Sequence, residues 1–188
     1  MGFWGYLLVG RGGDRALAEC PVLASDRGCP GPDRTVRTVR TFAGGWRLWT
    51  HPGPPEPAGV DALVRALADE TGAPALAAYV MESDCAVIGG THRPGDDADD
   101  AGWSACLGRT PLARYMADTE LGLDELFPTP EAAAAHCAAW AAAAGHAADA
   151  DELAGVLAAD PEPLVENLFH ELLARLGMVE TVEQPADR

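Results

Sequence analysis

Residues Ala78 to Gly90, "AYVMESDCAVIGG", set two short apolar runs on either side of Glu82-Ser83-Asp84-Cys85. Runs of this length, rich in β-branched and aromatic residues and bounded by polar ones, are strand-like, so the segment predicts a β-hairpin with Ser83-Asp84 at its tip. The rest of the N-terminal half follows the same grammar. Phe3–Val9, Thr35–Phe42, Trp46–His51, Leu76–Met81, Cys85–Gly89 and Trp103–Leu107 are predicted strands, with Ala43-Gly44-Gly45 as a second hairpin turn. Between them Val60, Leu63, Val64 and Leu67 have the i, i+3, i+4, i+7 spacing of a helix that stops at Gly72.

After Arg109 the pattern turns helical. Thr110-Pro111 and Thr129-Pro130 each offer a hydroxyl cap followed by a proline at the first helical position. Asp149 and Glu152 have capping-box spacing, with Asp in place of the usual Ser or Thr. Asp160-Pro161 opens a helix whose Leu164, Val165, Leu168, Phe169, Leu172, Leu173 and Leu176 make one apolar face before Gly177. That face calls for a sheet or a partner to cover it.

The fold class expected is α+β: a mostly antiparallel sheet of five or six strands with one crossover helix, then a helical C-terminal region packed on the sheet. Residues 1–179 form one domain in this reading, sheet-rich over 1–109 and helical over 110–179, with 180–188 a flexible tail. A chain of 188 residues with 48% hydrophobic content is long enough to bury such a core.

Charge narrows the function classes. All 13 basic residues are Arg, and the formal net charge is −16. Residues 1–60 hold seven Arg against five acids, whereas residues 61–188 hold six Arg against 24. Phosphate backbones need clusters of cations, so nucleic acid is not an expected partner. The short row Arg34, Arg37 and Arg40 in "DRTVRTVR" is split by strand alternation, which sends Arg37 to one face and the other two to the opposite face.

The five cysteines, Cys20, Cys29, Cys85, Cys106 and Cys137, have no short paired spacing. "MGFWGYLLVGR" lacks the basic start of a secretory signal, and no run of about 20 apolar residues suggests a membrane span. A reducing cytoplasm, with thiols acting as small buried hydrophobes, is the expectation, with no cofactor, no zinc site and no membrane partner.

Candidate chemistry is sparse. Gly10-Arg11-Gly12-Gly13 stands between a strand and a helical stretch, yet it matches no phosphate-loop pattern and is read as an ordinary turn. Cys85 is the candidate nucleophile, but Asp84 and Glu82 disfavour its thiolate, so it is expected to be structural unless the fold brings up His51 or His92. In "GDDADDAG", Asp97, Asp99 and Gly102 fall at the first, third and sixth places of a calcium loop, but Ala101 and Gly108 occupy the fifth and twelfth, where oxygen ligands are required. His170-Glu171 begins like a zinc-protease motif, with Ala174 in place of the second His. His136 and Cys137 are read as packing residues. Trp46 and Trp49 should face opposite sides of their strand, one of them under the helical segment or at an interface.

The strings "WGYLLVGR", "ETGAPALAAYVMESDCAVIGG" and "WSACLGR" resemble a group of uncharacterised proteins of high-GC actinobacteria. The resemblance covers roughly the first 110 residues and implies a bacterial, cytoplasmic, single-domain protein, without bringing an activity or a site. Two function classes follow from the residues. The favoured one is a non-enzymatic acidic binding or regulatory protein, of the immunity type that meets a basic protein through Asp96, Asp97, Asp99 and Asp100. The other is an enzyme of unrecognised type, a hydrolase using Cys85 or the Asp96–Asp100 loop. A homodimer through residues 161–176 is a further expectation.

Overall fold

Tyr6 and Leu8 lie on one face of strand β1 (Gly5–Arg11), Leu7 and Val9 lie on the other, and all four are buried. A strand buried on both sides needs two covers, and the computed structural model, which describes residues 2–12, 37–52, 59–91 and 102–181, shows both. Strands β1, β2 (Arg37–Phe42), β3 (Trp46–Pro52), β4 (Ala75–Met81), β5 (Cys85–Thr91) and β6 (Gly102–Leu107) form one antiparallel sheet in the order β2-β3-β1-β4-β5-β6. The helices among the described residues are α1 (Val60–Thr71), α2 (Arg109–Tyr115), α3 (Leu123–Leu126), α4 (Pro130–Ala144), α5 (Ala150–Ala158) and α6 (Val165–Arg175). The fold is α+β as expected, with the C-terminal helices α4, α5 and α6 on one face and the crossover helix α1 on the other.

Each face has its own core. On the α1 side, Leu63, Val64 and Leu67 pack on Tyr6, Leu8, Trp49 and Ala77. On the other side, Trp140, Leu157, Phe169 and Leu172 pack on Leu7, Val9, Leu48, Leu76 and Ile88. This is why Trp46 and Trp49, on opposite faces as alternation requires, are both buried: each side of β3 is interior. Trp140 is tied to the sheet by its indole N–H, which donates to the Ala75 carbonyl at 3.0 Å, and its ring lies 5.5 Å from that of Trp46. Gly89 and Gly90 let these layers close. A Cβ on Gly89 would sit 2.8 Å from Val60 of α1, and one on Gly90 would sit 2.7 Å from the Trp103 ring on the opposite face.

The helix ends show where local chemistry decides and where packing overrides it. Thr129 caps α4 as expected, its hydroxyl accepting from Ala132 N–H with Pro130 next in the helix. Asp149 caps α5 by accepting from Asp151 and Glu152 N–H, but Glu152 reaches Arg175 at 3.0 Å, so only half of the expected capping box forms. Two starts differ from expectation. α2 begins at Arg109, ahead of the predicted Thr110 cap, because Gly108 passes at positive φ where a Cβ would lie 2.6 Å from the Asp84 carbonyl. α6 begins at Val165 and not at Pro161, since Pro163 disfavours helical backbone at Glu162.

The "ESDC" tip is a structural joint. Glu82 and Ser83 both have positive φ, which costs L residues about 1 kcal/mol or more each, and Asp84 N–H closes the turn on Met81 O at 3.0 Å. Ser83 makes four hydrogen bonds that hold this conformation. Its hydroxyl accepts from Phe3 N–H at 2.8 Å and donates to Glu166 Oε1 at 2.7 Å. Its N–H donates to the Phe3 carbonyl, and its own carbonyl accepts from Val165 N–H at 2.8 Å. Because Leu164 provides no side-chain cap, that carbonyl serves the first turn of α6.

Several expectations shift at the sheet edge. A register shift between Thr38 and Arg40 breaks the alternation on which the split arginine row rested, and Arg40 lies opposite Leu48, paired with Glu180 at 2.7 Å. Gly10 and Arg11 belong to β1 and not to a turn, and Arg11 donates to the Gly44 carbonyl at 2.9 Å while lying over Trp46. At the start of the expected tail, Glu180 bridges Phe42, and Thr181 N–H donates to Thr41 O, while residues 182–188 lie outside the described residues. The buried residues of the expected apolar face lie in the chain's own core, whereas Leu164, just before α6, is 43% exposed.

Two outcomes are expected from this packing. A chain ending at Asp160 should lose the cooperative unfolding transition of the full chain in urea, because each Leu of α6 that is buried contributes about 1.5–3 kcal/mol. Ser83→Ala should lower unfolding stability by about 1–3 kcal/mol, since it strands Phe3 N–H and a Glu166 oxygen; a change within error would show the joint to be dispensable.

Candidate functional site

Helix α1 crosses its face of the sheet obliquely, with Val60 over Gly89 of β5 and Leu67 over Gly10 of β1. Beyond its first turn the face is closed by the α2–α3 segment, whose Leu112, Leu123 and Phe127 pack with Met81, Cys85 and Cys106 as a third apolar cluster. Between these two covers lies a cavity of about 350 Å³. Tyr79, Met81 and Val87 form its floor, Val60 and Phe127 stand at its sides, and Asp61 and Ser104 supply polar groups. Asp61 is exposed, and its carboxylate has no ion-pair or hydrogen-bond partner among the described residues.

The register explains this lining. Tyr6 pairs with both His51 and Tyr79, Tyr79 pairs with Val87, and Val87 pairs with Cys106, so these five side chains make one row across the α1 face. The rings of Tyr6 and Tyr79 lie 4.9 Å apart, and those of Tyr6 and His51 lie 6.4 Å apart. Burial, with Tyr6 alongside, pushes the Tyr79 hydroxyl up to about 12, so it stays protonated at neutral pH.

The thiols have the surroundings of packing groups. Cys85 is fully buried, and burial first, then Asp84 and Cys106, pushes its pKa up to about 12. Cys106 is raised by burial while Arg109, which donates to its sulfur at 3.5 Å, acts in the opposite direction. Arg109 is itself held by Asp124 and the Pro128 carbonyl. Cys137 is raised to about 12 by burial alone. His51 stands on β3 and Cys85 on β5, three strand spacings apart, which is roughly 14 Å across the sheet. The fold therefore does not bring this His to this Cys.

His92, Asp96, Asp97, Asp99 and Asp100 lie outside the described residues, as do Cys20, Cys29 and Arg34. Among the described residues no three His, Cys, Asp or Glu gather as a metal site, and no helix is long and apolar enough to cross a membrane. His136 is exposed and stacks on Trp103 at 6.3 Å, while its neighbour Cys137 is buried. His170 is half-buried, and Glu171 is exposed beside Arg175.

The cavity residues carried no separate signal in the sequence. Tyr79, Met81 and Val87 read as strand core, and Phe127, before Pro128, lies in a stretch with no regular pattern. Only the α2–α3 cover turns them into a lining.

Alkylation of Cys85 in the native protein at pH 8 should be at least about 100-fold slower than that of an unfolded thiol, because a raised pKa leaves less thiolate at every pH below it. A rate near that of free cysteine, read by mass spectrometry of the labelled peptide, would reverse the assignment.

No family model, no curated protein and no solved structure matches this chain.

Proposed function

We propose that the protein is a non-enzymatic binding protein that recognises a basic protein, in the manner of an immunity-type inhibitor or a regulatory adaptor. The observation that carries this reading is the charge of the helical part. Residues 109–181 hold 13 acids against three Arg, and two of those Arg, Arg109 and Arg175, are already engaged by Asp124, Glu152 and Glu171. Arg40 of β2 takes up Glu180, and most of the other carboxylates are exposed with no cation against them among the described residues. Such a field speeds encounter with a partner of opposite sign and repels acidic ones. Asp96, Asp97, Asp99 and Asp100, outside the described residues, add four more charges of the same sign.

If this reading holds, the association rate with the basic partner should fall about tenfold or more from 0.01 M to 0.15 M salt, as the screening length shortens from about 30 Å to about 8 Å. Amide replacements at Asp118, Glu120 and Glu131, and Asn at the four loop aspartates, should each lower the on-rate more than they raise the off-rate. Stopped-flow or surface binding kinetics measure both. Association that is indifferent to salt and unchanged in both variants would leave the charge a solubility device.

A further inference from the structure

We propose that the cavity between α1 and α3 is an anchor pocket for a single apolar side chain, aromatic by preference, flanked by a positive charge on the basic partner. The proposal rests on the acidic-binder reading for the partner's class, but the pocket stands on its own geometry. Its volume of about 350 Å³ is at the small end for ligand sites, suited to one side chain and not to a large cofactor. The floor offers the Tyr79 ring and the Met81 thioether, and Phe127 forms a side, a set that favours edge and sulfur contacts with an aromatic ring.

The rim selects for charge. Asp61, in the first turn of α1, sets at the opening a carboxylate that has no partner among the described residues. Arg65, one turn further on, reaches toward Gly102 at the outer strand. A cation beside the anchoring side chain can therefore pair with Asp61, whereas an acidic neighbour would meet repulsion there. Leu126, directly before Phe127 in the chain, is 47% exposed. An apolar pocket with a solvated carboxylate at its rim is the complement of an apolar residue with a cation beside it.

Short blocked peptides test this directly. The protein has four methionines, so Met81 and Met178 can be assigned in a methyl-labelled NMR spectrum by substitution; Met81 lines the pocket, and Met178 is buried in the core on the opposite face of the sheet. Acetyl-Arg-Phe-Arg amide should shift the Met81 methyl saturably and leave Met178 unmoved. Acetyl-Arg-Ala-Arg amide should not shift Met81, and acetyl-Glu-Phe-Glu amide should bind at least about tenfold more weakly. Val87→Phe, which fills the floor, should abolish the Met81 response, with an unchanged Met178 signal reporting an intact fold. Asp61→Asn should weaken the Arg-Phe-Arg peptide about two- to fivefold. Equal Met81 shifts from the Phe and Ala peptides, or none at about 10 mM peptide, would overturn the pocket. A salt-sensitive basic partner together with an unmoved Met81 would remove the pocket and leave the acidic-binder reading. A Met81 response to the Phe peptide without any associating basic protein would do the reverse.

Discussion

Strand β1 lies in the middle of the sheet with apolar side chains on both faces, and the rest of the chain is arranged to meet that condition. One cover, α1, comes from the crossover between β3 and β4. The other is formed by α4, α5 and α6. A sheet with a solvated face would expose alternate positions along its strands, but Tyr6, Leu7, Leu8 and Val9 are all within 4% of full burial. Burying both faces removes more apolar area from water than a single layer could, which suits a sheet whose β4 and β5 carry small residues such as Ala75, Ala77, Ala78 and Ala86.

The covers must also be held in register, and the β4–β5 tip does this for α6. Ser83 connects the start of the chain, the hairpin and the first turn of α6 through both its side chain and its backbone. Two adjacent residues at positive φ are uphill for an isolated turn, and these bonds offset that cost. An acid-flanked cysteine next to a strained turn has the outline of a reactive site. Here the strain belongs to a packing joint, and the thiol beside it packs in an apolar cluster with Leu112 of α2.

The same architecture places the cavity. An obliquely crossing α1 covers the row from Trp49 to Gly89 and leaves part of the neighbouring row, Tyr79 and Val87, to the α2–α3 segment. Where two covers meet over one sheet, their packing is least continuous, and the gap is lined by whatever strand residues lie beneath. Here these are apolar, with the Asp61 carboxylate, which has no partner among the described residues, at the edge. Fold and charge together thus set an apolar recess with an acidic side chain at its edge.

Periodicity and turn chemistry determined the strands, the α1 stripe, the Thr129 and Asp149 caps and the two-part order of sheet then helices, because each depends on contacts within a few residues. Trp46 and Trp49 could be assigned to opposite faces for the same reason. Whether both faces were interior could not, since that depends on which distant helix lands on each. Gly108 displaced the start of α2, Pro163 and the Ser83 carbonyl determined that of α6, and β2 shifted register at Thr38, each where a nonlocal contact or a proline outweighed a local preference. The cavity is the extreme case. Asp61, Tyr79, Val87, Ser104 and Phe127 are spread over nearly seventy residues and share no pattern, and only the closure of two helical covers over one sheet brings them to a common surface.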